Sequence, residues 1–196
     1  MGTIKTTNIE TITGSGTLTL GQSGETITVP SGVTVNMSSA TQTGVGGTNT
    51  PYFYGELASN QSSVPRSTQT KITGMTRNEV DSDTAFDGTT FTVPSGQAGK
   101  YYLEGVLTAS YGGVGQDGEQ TISSIYKNGS FLKQGIIRQS SSSGQNMRAV
   151  TAVASGIFDL SVGDTIELYA WIQDASGDNG DAAEHKTSLG GYKIIE

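Results

Sequence analysis

From Phe86 to Ser110 the chain reads FDGTTFTVPSGQAGKYYLEGVLTAS. Phe91 and Val93 alternate with threonines, Pro94-Ser95-Gly96 interrupts the run, and Tyr101, Leu103 and Val106 resume it. Alternation at period two, in β-branched and aromatic residues, predicts two strands joined at a tight corner. Pro94 has no N–H for a ladder and belongs at a strand end, while Gly96 and Gly99 tolerate a positive φ.

The same punctuation runs through the rest of the chain. Leu18/Leu20, Ile27/Val29 and Val33/Val35 are three short alternating runs separated by Gly-Ser turns within residues 11–37. One or two apolar residues per run cannot bury a face alone, so this stretch predicts a β-rich shaft whose partners are stacked coils or other chains. The alternative is a pair of hairpins packed on the following domain. Residues 1–10 are polar and aperiodic and read as an attachment arm, and residues 38–50 (SSATQTGVGGTNT) read as a Gly/Ser/Thr linker.

From Pro51 to Glu196 many short alternating segments are spaced by turn signals, the pattern of a sandwich or jelly roll. Asn128-Gly129, between Tyr126 and Phe131, is a strong hairpin signal because a type I′ turn needs positive φ at both central residues. Arg148 to Leu160 alternates, and Gly163-Asp164 supplies a turn before Ile166 and Leu168 restart the pattern.

The spacing F-D-x-x-x-F-T-V-P-x-x-x-x-G-x-Y-Y from Phe86 to Tyr102 resembles the C1q-like branch of the tumour-necrosis-factor-like jelly rolls. Four further segments resemble that family in the same order: Pro51 to Leu57 its opening strand, Lys127-Asn128-Gly129 its hairpin, Leu160 to Leu168 its L-x-x-G-D-x-V-x-L turn and strand, and Ser188 to Ile195 its final strand. The chain departs from the pattern by an extra residue in Pro94–Gly99, by Gly88 standing before Thr89-Thr90, and by Leu189 in place of an aromatic. The resemblance implies an all-β fold, a C1q/TNF-like jelly-roll sandwich head on residues 51–196, trimeric, with its last strand near the trimer axis. Separately, LTLGQSGETITVPSG (residues 18–32) is similar to segments of structural proteins of marine tailed bacteriophages.

Composition narrows the function classes. Net charge is −7 with no Lys/Arg cluster, which argues against nucleic acid, since phosphate binding needs a basic stripe. There is no Cys, hence no disulfide or thiolate chemistry. No apolar run reaches bilayer length and the N-terminus has no signal-peptide core, so no membrane insertion is expected. Met1-Gly2-Thr3-Ile4-Lys5-Thr6 fits the loose myristoylation pattern but lacks a second anchoring signal. Only 15% of residues are charged, and Ser, Thr, Gly, Asn and Gln fill the polar positions, a surface suited to an exposed structural protein.

Catalysis finds little support. The single His, His185, follows an acidic loop, and no Gly-x-Ser-x-Gly elbow exists. Glu104, Glu119, Glu167 and Glu184 are carboxylates without an evident pairing for glycoside cleavage. The chain is therefore expected not to be an enzyme. Asp174, Asp178 and Asp181, in an Asp/Asn/Gly loop, are the candidate Ca²⁺ ligands, because hard cations take several oxygens from such a loop. The competing reading is an ordinary turn, and no other cofactor is expected. Loops on a rigid scaffold carry recognition, which makes Tyr111, Gln116, Asp117, Ser142, Asn146 and Asn179 the candidate receptor contacts.

The expectation is a homotrimeric fibre or spike on a phage virion, made in the host cytoplasm. It would attach by its N-terminal arm to a tail or capsid protein and bind a host cell-surface glycan or protein through head loops. The alternative is a capsid decoration or head-fibre protein with a mainly structural role. A depolymerase tailspike is the weakest class.

Overall fold

The computed structural model describes residues 23–35, 49–111, 118–138, 148–174 and 177–194. The chain divides into two compact units, Met1–Val45 and Gly46–Glu196. In the first, residues 23–35 contain no strand. Their regular features are turns, with positive φ at Gly24 and Gly32 and the Val33 N–H donating to the Pro30 carbonyl at 3.3 Å. Ile27, Val29, Val33 and Val35 are all exposed, so the alternating residues expected to bury a shaft face have no cover among the described residues. The run Leu18/Leu20 lies outside the described residues.

The second unit is all-β. Its strands are β1 (Tyr52–Glu56), β2 (Gln61–Val64), β3 (Thr70–Lys71), β4 (Arg77–Asp81), β5 (Thr90–Thr92), β6 (Gly99–Ser110), β7 (Gly118–Lys127), β8 (Ser130–Arg138), β9 (Ala149–Leu160), β10 (Thr165–Asp174), β11 (Gly180–Ala182) and β12 (Ser188–Lys193). One sheet has seven strands in the order β2-β11-β6-β12-β1-β4, with β9 on the other side of β6; the second has five, β3-β10-β7-β8, with β5 also on β10. All pairings are antiparallel. β6 is the spine of the larger sheet. It pairs with β9 along its whole length and with β12 and then β11 on its other flank.

The inner faces of the two sheets share one core, in which Phe53, Phe91, Tyr101, Leu103, Leu107, Ile125, Ile166, Leu168 and Ile172 are buried. Burying side chains of this size stabilises by about 1.5–3 kcal/mol each. The Ser123 hydroxyl, inside the sandwich, donates to the Gly105 carbonyl at 2.7 Å and ties β7 to β6 across the sheets. The predicted corner at Pro94 is present, with the Gln97 N–H donating to the Pro94 carbonyl and positive φ at Gly96 and Gly99. Its two strands enter different sheets, so the corner carries the chain across the sandwich.

The phase beyond the corner differs from the expected one. Inward positions run Tyr101, Leu103, Gly105, Leu107, and Val106 faces outward. Gly105 holds the inward place because a Cβ there would lie 2.7 Å from Leu168 Cδ1.

The Asn-Gly hairpin forms as predicted, with φ of 52° at Asn128 and 71° at Gly129. It is fastened to the Gly163-Asp164 turn by the Asp164 carboxylate. That carboxylate accepts from the Asn128 amide (2.7 Å), the Ser161 N–H (2.7 Å) and the Lys127 ammonium (2.7 Å). Burial opposes the Asp164 charge, but the Lys127, Ser161 and Asn128 donors outweigh it and hold its pKa at about 2. The unfolded chain therefore takes up this proton first, near the ordinary value of 3.8. The stabilisation is complete above that pH and falls away as pH drops through about 2. Asp164→Asn should flatten the loss of stability between these values and, by leaving buried donors unpaired, cost about 1–3 kcal/mol at neutral pH. Urea unfolding of both proteins across that range measures it, and parallel pH profiles would refute the clamp.

Candidate functional site

The outer face of the seven-stranded sheet carries an unusual density of aromatic and aliphatic groups. Strand register sets them in rows. Tyr52 (β1), Tyr192 (β12), Tyr102 (β6) and Ile157 (β9) form one. Val80 (β4), Tyr54, Gly190, Glu104 and Ser155 form the next, and Arg77, Glu56, Ser188, Val106 and Val153 the third. Tyr52, Val80, Val153, Ile157 and Tyr192 are exposed, Ile157 to 61%. Tyr102 and Tyr192 are in ring contact at 5.5 Å. Between the rows lies a hollow of about 310 Å³ walled by Tyr52, Tyr54, Val80, Tyr102, Tyr192 and Glu104. Gly190 keeps it open, since a Cβ there would come within 2.9 Å of the Tyr54 ring.

The two carboxylates within these rows are occupied. The Tyr54 hydroxyl donates to Glu56 (2.8 Å) and the Tyr102 hydroxyl to Glu104 (2.9 Å). The Tyr54 hydroxyl is pushed above its usual range by burial and by Glu56, and that of Tyr102 by the bond to Glu104 and by burial. Both tyrosines thus remain neutral donors through the physiological range, and the two carboxylates within the rows have hydroxyl partners.

Of the predicted recognition residues, Tyr111 and Asn179 are among the described residues, and neither stands in these rows. Tyr111 is a correction: its ring is 2% exposed and lies over Gly118, where a Cβ would come within 2.4 Å of the ring. Its hydroxyl donates to the Gln120 carbonyl and pairs with the Thr121 hydroxyl, and burial pushes its pKa up. It closes the end of the core and is not presented to a receptor. Gln116, Asp117, Ser142 and Asn146 lie outside the described residues. Asn179 is exposed, with its side-chain oxygen accepting from the Arg66 N–H at 3.1 Å.

The acidic loop shows other uses for its side chains and backbone. Among the described residues no three acids or histidines converge as a cation site, and that includes Asp174, Asp178 and Asp181. Asp174 is buried at the end of β10, where its carbonyl accepts from Arg66 Nε at 2.6 Å. Asp181 accepts from the Ser63 N–H at 2.9 Å. The Asp/Asn/Gly spacing that suggested calcium serves to pin the segment around β2 through its backbone donors. His185 is exposed and contacts the Arg77 guanidinium. Of the carboxylates considered for glycoside cleavage, Glu104 and Glu167 stand on the outer faces of opposite sheets, and Glu167 is paired with Lys71 at 2.6 Å.

No family model matches the sequence, and no curated protein matches it. Solved structures do match. The crystal structure of murine APRIL at pH 5.0 has a TM-score of 0.51 at 15% identity, covering 74% of this chain and 98% of that one. The same mouse protein at pH 8.0 gives 0.50 at 15% identity, covering 74% and 98%. The fold is a C1q/TNF-like jelly roll. The globular domain of zebrafish complement 1qA protein is also similar, with a TM-score of 0.48 at 12% identity over 75% of this chain and 99% of that one.

Periodicity places a tyrosine on one side of a strand without saying whether that side is core or surface, so sequence alone does not locate this face. If the three acids hold no cation, melting curves with about 5 mM Ca²⁺ and with a chelator should coincide within about 1 °C. An upward shift of several degrees with calcium, lost in Asp181→Ala, would restore the calcium reading.

Proposed function

We propose that the chain is a homotrimeric fibre or spike protein of a tailed-phage particle. The head is its adhesive module, residues 1–10 attach it to a tail or capsid protein, and the head contacts a host cell surface. In this reading the protein resides on the virion, is made in the host cytoplasm, binds rather than catalyses, and neither recognises nucleic acid nor inserts in a membrane. The observation that carries the assembly is the exposed aromatic face from Val80 on β4 to Val153 and Ile157 on β9. Contiguous apolar surface of this kind marks an interaction site. The natural occupant is another copy, with the β4–β1 side of one head against the β9 side of the next, a heterologous contact that closes as a ring. The exposed Ile27, Val29, Val33 and Val35, uncovered among the described residues, are compatible with a shaft covered by further chains. The jelly-roll fold of the head is compatible with such a trimer.

The phage assignment rests on the similarity of residues 18–32 to phage structural segments and on the weakly charged, Ser/Thr/Gly-rich composition. A capsid decoration or head-fibre protein with a mainly structural role is the second reading, which the weakly charged, Ser/Thr/Gly-rich composition fits equally. Immunogold labelling of particles separates the two by position.

Light scattering of the purified chain should give three times 20.3 kDa, about 61 kDa. Ile157→Asp combined with Tyr192→Asp should shift the mass to 20.3 kDa with the β-sheet circular dichroism intact, because two carboxylates cannot be buried unpaired in the seam. A wild-type monomer would sink the assembly, and a trimer indifferent to both substitutions would move its seam elsewhere.

A further inference from the structure

The five-stranded sheet has an outer face of different chemistry. β10 sends Glu167, Tyr169, Trp171 and Gln173 outward, in alternation with buried Ile166, Leu168, Ala170 and Ile172. Beside them on β7 stand Tyr126, Ser124, Ile122 and Gln120, and beyond these on β8 stand Phe131, Gln134, Ile136 and Arg138. Tyr126 stacks on Tyr169 with ring centres 4.1 Å apart and meets Phe131 edge-on at 6.2 Å. Phe131 is 55% exposed and Ile136 46%.

Amide and hydroxyl groups stand among the rings. The Gln69 amide donates to the Ser124 hydroxyl (3.3 Å), Gln173 to Glu119 (2.6 Å), and Arg138 to Gln120 (3.2 Å). The charges that reach this face, Lys71 and Arg138 against Glu119 and Glu167, cancel. Two buried side-chain polar atoms here have no hydrogen-bond partner, Trp171 Nε1 and Gln69 Oε1. Such atoms are costly, and a hydroxyl-bearing ligand that displaced the flexible Gln69 side chain would satisfy both a donor and an acceptor.

We propose that this face binds a neutral saccharide. A sugar ring offers an apolar C–H face to lie on an aromatic plane and a rim of hydroxyls that both donate and accept. The Tyr126–Tyr169 stack, Trp171 and Phe131 provide the planes, and Gln69, Gln134 and Gln173 provide the rim, with the buried Ser124 and Gln120 holding Gln69 and Arg138 in place beneath it. A face of zero net charge on a chain of net charge −7 is matched to a neutral ligand, because an anionic one would meet Glu119 and Glu167 and a cationic one Lys71 and Arg138. The proposal rests on the adhesive reading above and names its ligand class and its surface. It places recognition on strands, away from the loop residues that sequence suggested.

Trp171 is the only tryptophan in the chain, so tryptophan emission, excited selectively over the tyrosines, reports on this face alone. The full-length protein would be titrated with neutral oligomers of glucose, galactose, mannose and N-acetylglucosamine to about 10 mM, a range that captures weak single-site binding. At least one series should give a saturable change in Trp171 emission. The response should weaken about tenfold in Tyr169→Ala and measurably in Gln134→Ala, an exposed position whose loss leaves the core untouched. Adhesion to a panel of bacterial isolates would be scored in parallel with the same proteins. Adhesion that persists unchanged in both variants, with no saccharide response, overturns the saccharide face and leaves adhesion to another surface. Emission that follows protein concentration and ignores saccharide also overturns it, because the occupant is then a second copy. Absence of both adhesion and saccharide response refutes the adhesive reading together with this inference.

Discussion

The head depends on a stack of two rings that belong to different sheets. Phe53 on β1 and Phe91 on β5 lie face to face, centroids 4.0 Å apart and planes within 6°. Phe86 tilts against Phe53 at 5.3 Å and Tyr101 against Phe91 at 5.9 Å, so four aromatic side chains span the sandwich where the chain crosses between its sheets. The stack is seated by glycines. A Cβ at Gly55 would stand 2.2 Å from the Met75 carbonyl and 2.8 Å from the Phe86 ring, and one at Gly191 would stand 2.6 Å from the Tyr102 carbonyl and 3.1 Å from the Phe53 ring. Tyr101 adds a polar anchor by donating to the Gln97 carbonyl at 2.6 Å, and burial pushes its pKa up to about 12. The bond thus ties the core to the Pro94 corner at every pH at which the fold is used.

This arrangement explains what could be read from sequence. Features with a local cause were legible: the Asn128-Gly129 turn, the Gly163-Asp164 turn, and the corner at Pro94-Ser95-Gly96, each written in residues that few other conformations suit. The class of sandwich or jelly roll followed because those turns occur between alternating runs, and the family resemblance narrowed it to the jelly roll. What required the third dimension was the sidedness of each strand. Val106 looked inward until Leu168 was seen to claim the space beside Gly105, and Tyr111 looked like a loop residue until its hydroxyl was found bonded to Thr121 inside the core. The acidic loop is a related case. Asp181 and Asn179 have the composition of a cation loop, and one side-chain oxygen of each accepts from the Ser63 and Arg66 backbone N–H groups, more than 100 residues away in sequence.

Only 33% of the residues are hydrophobic, yet both sheets place some of them outside. A chain short of apolar residues gains nothing for its own stability by exposing Tyr192, Ile157, Phe131 and Ile136, so these positions point to contacts that a single head does not make. The two outer faces are not equivalent. On the seven-stranded sheet the two carboxylates within the rows are capped by tyrosine hydroxyls, which suits burial against a copy of the same surface. On the five-stranded sheet amides and paired charges interleave with the rings, which suits a ligand rich in hydroxyls.

The division of labour has a consequence for binding strength. If the seven-stranded faces close a trimer, the five-stranded faces, on the other side of each sandwich, are displayed three times on one particle of modest size. A single sugar stacked on tyrosine and tryptophan is held weakly, since the contact is small and the immobilisation of ligand and side chains offsets part of the gain. Three such sites on a rigid body facing a repetitive surface turn the second and third contacts into intramolecular events, raising overall avidity by about 10²–10⁴ without any new interaction. A shallow, charge-neutral face is then sufficient for attachment, and no deep pocket is needed on any one protomer. The same geometry makes attachment depend on assembly: a monomer that retained every residue of the saccharide face would still lose the multiplied affinity, because the aromatic seam on the opposite sheet sets the number of faces presented together.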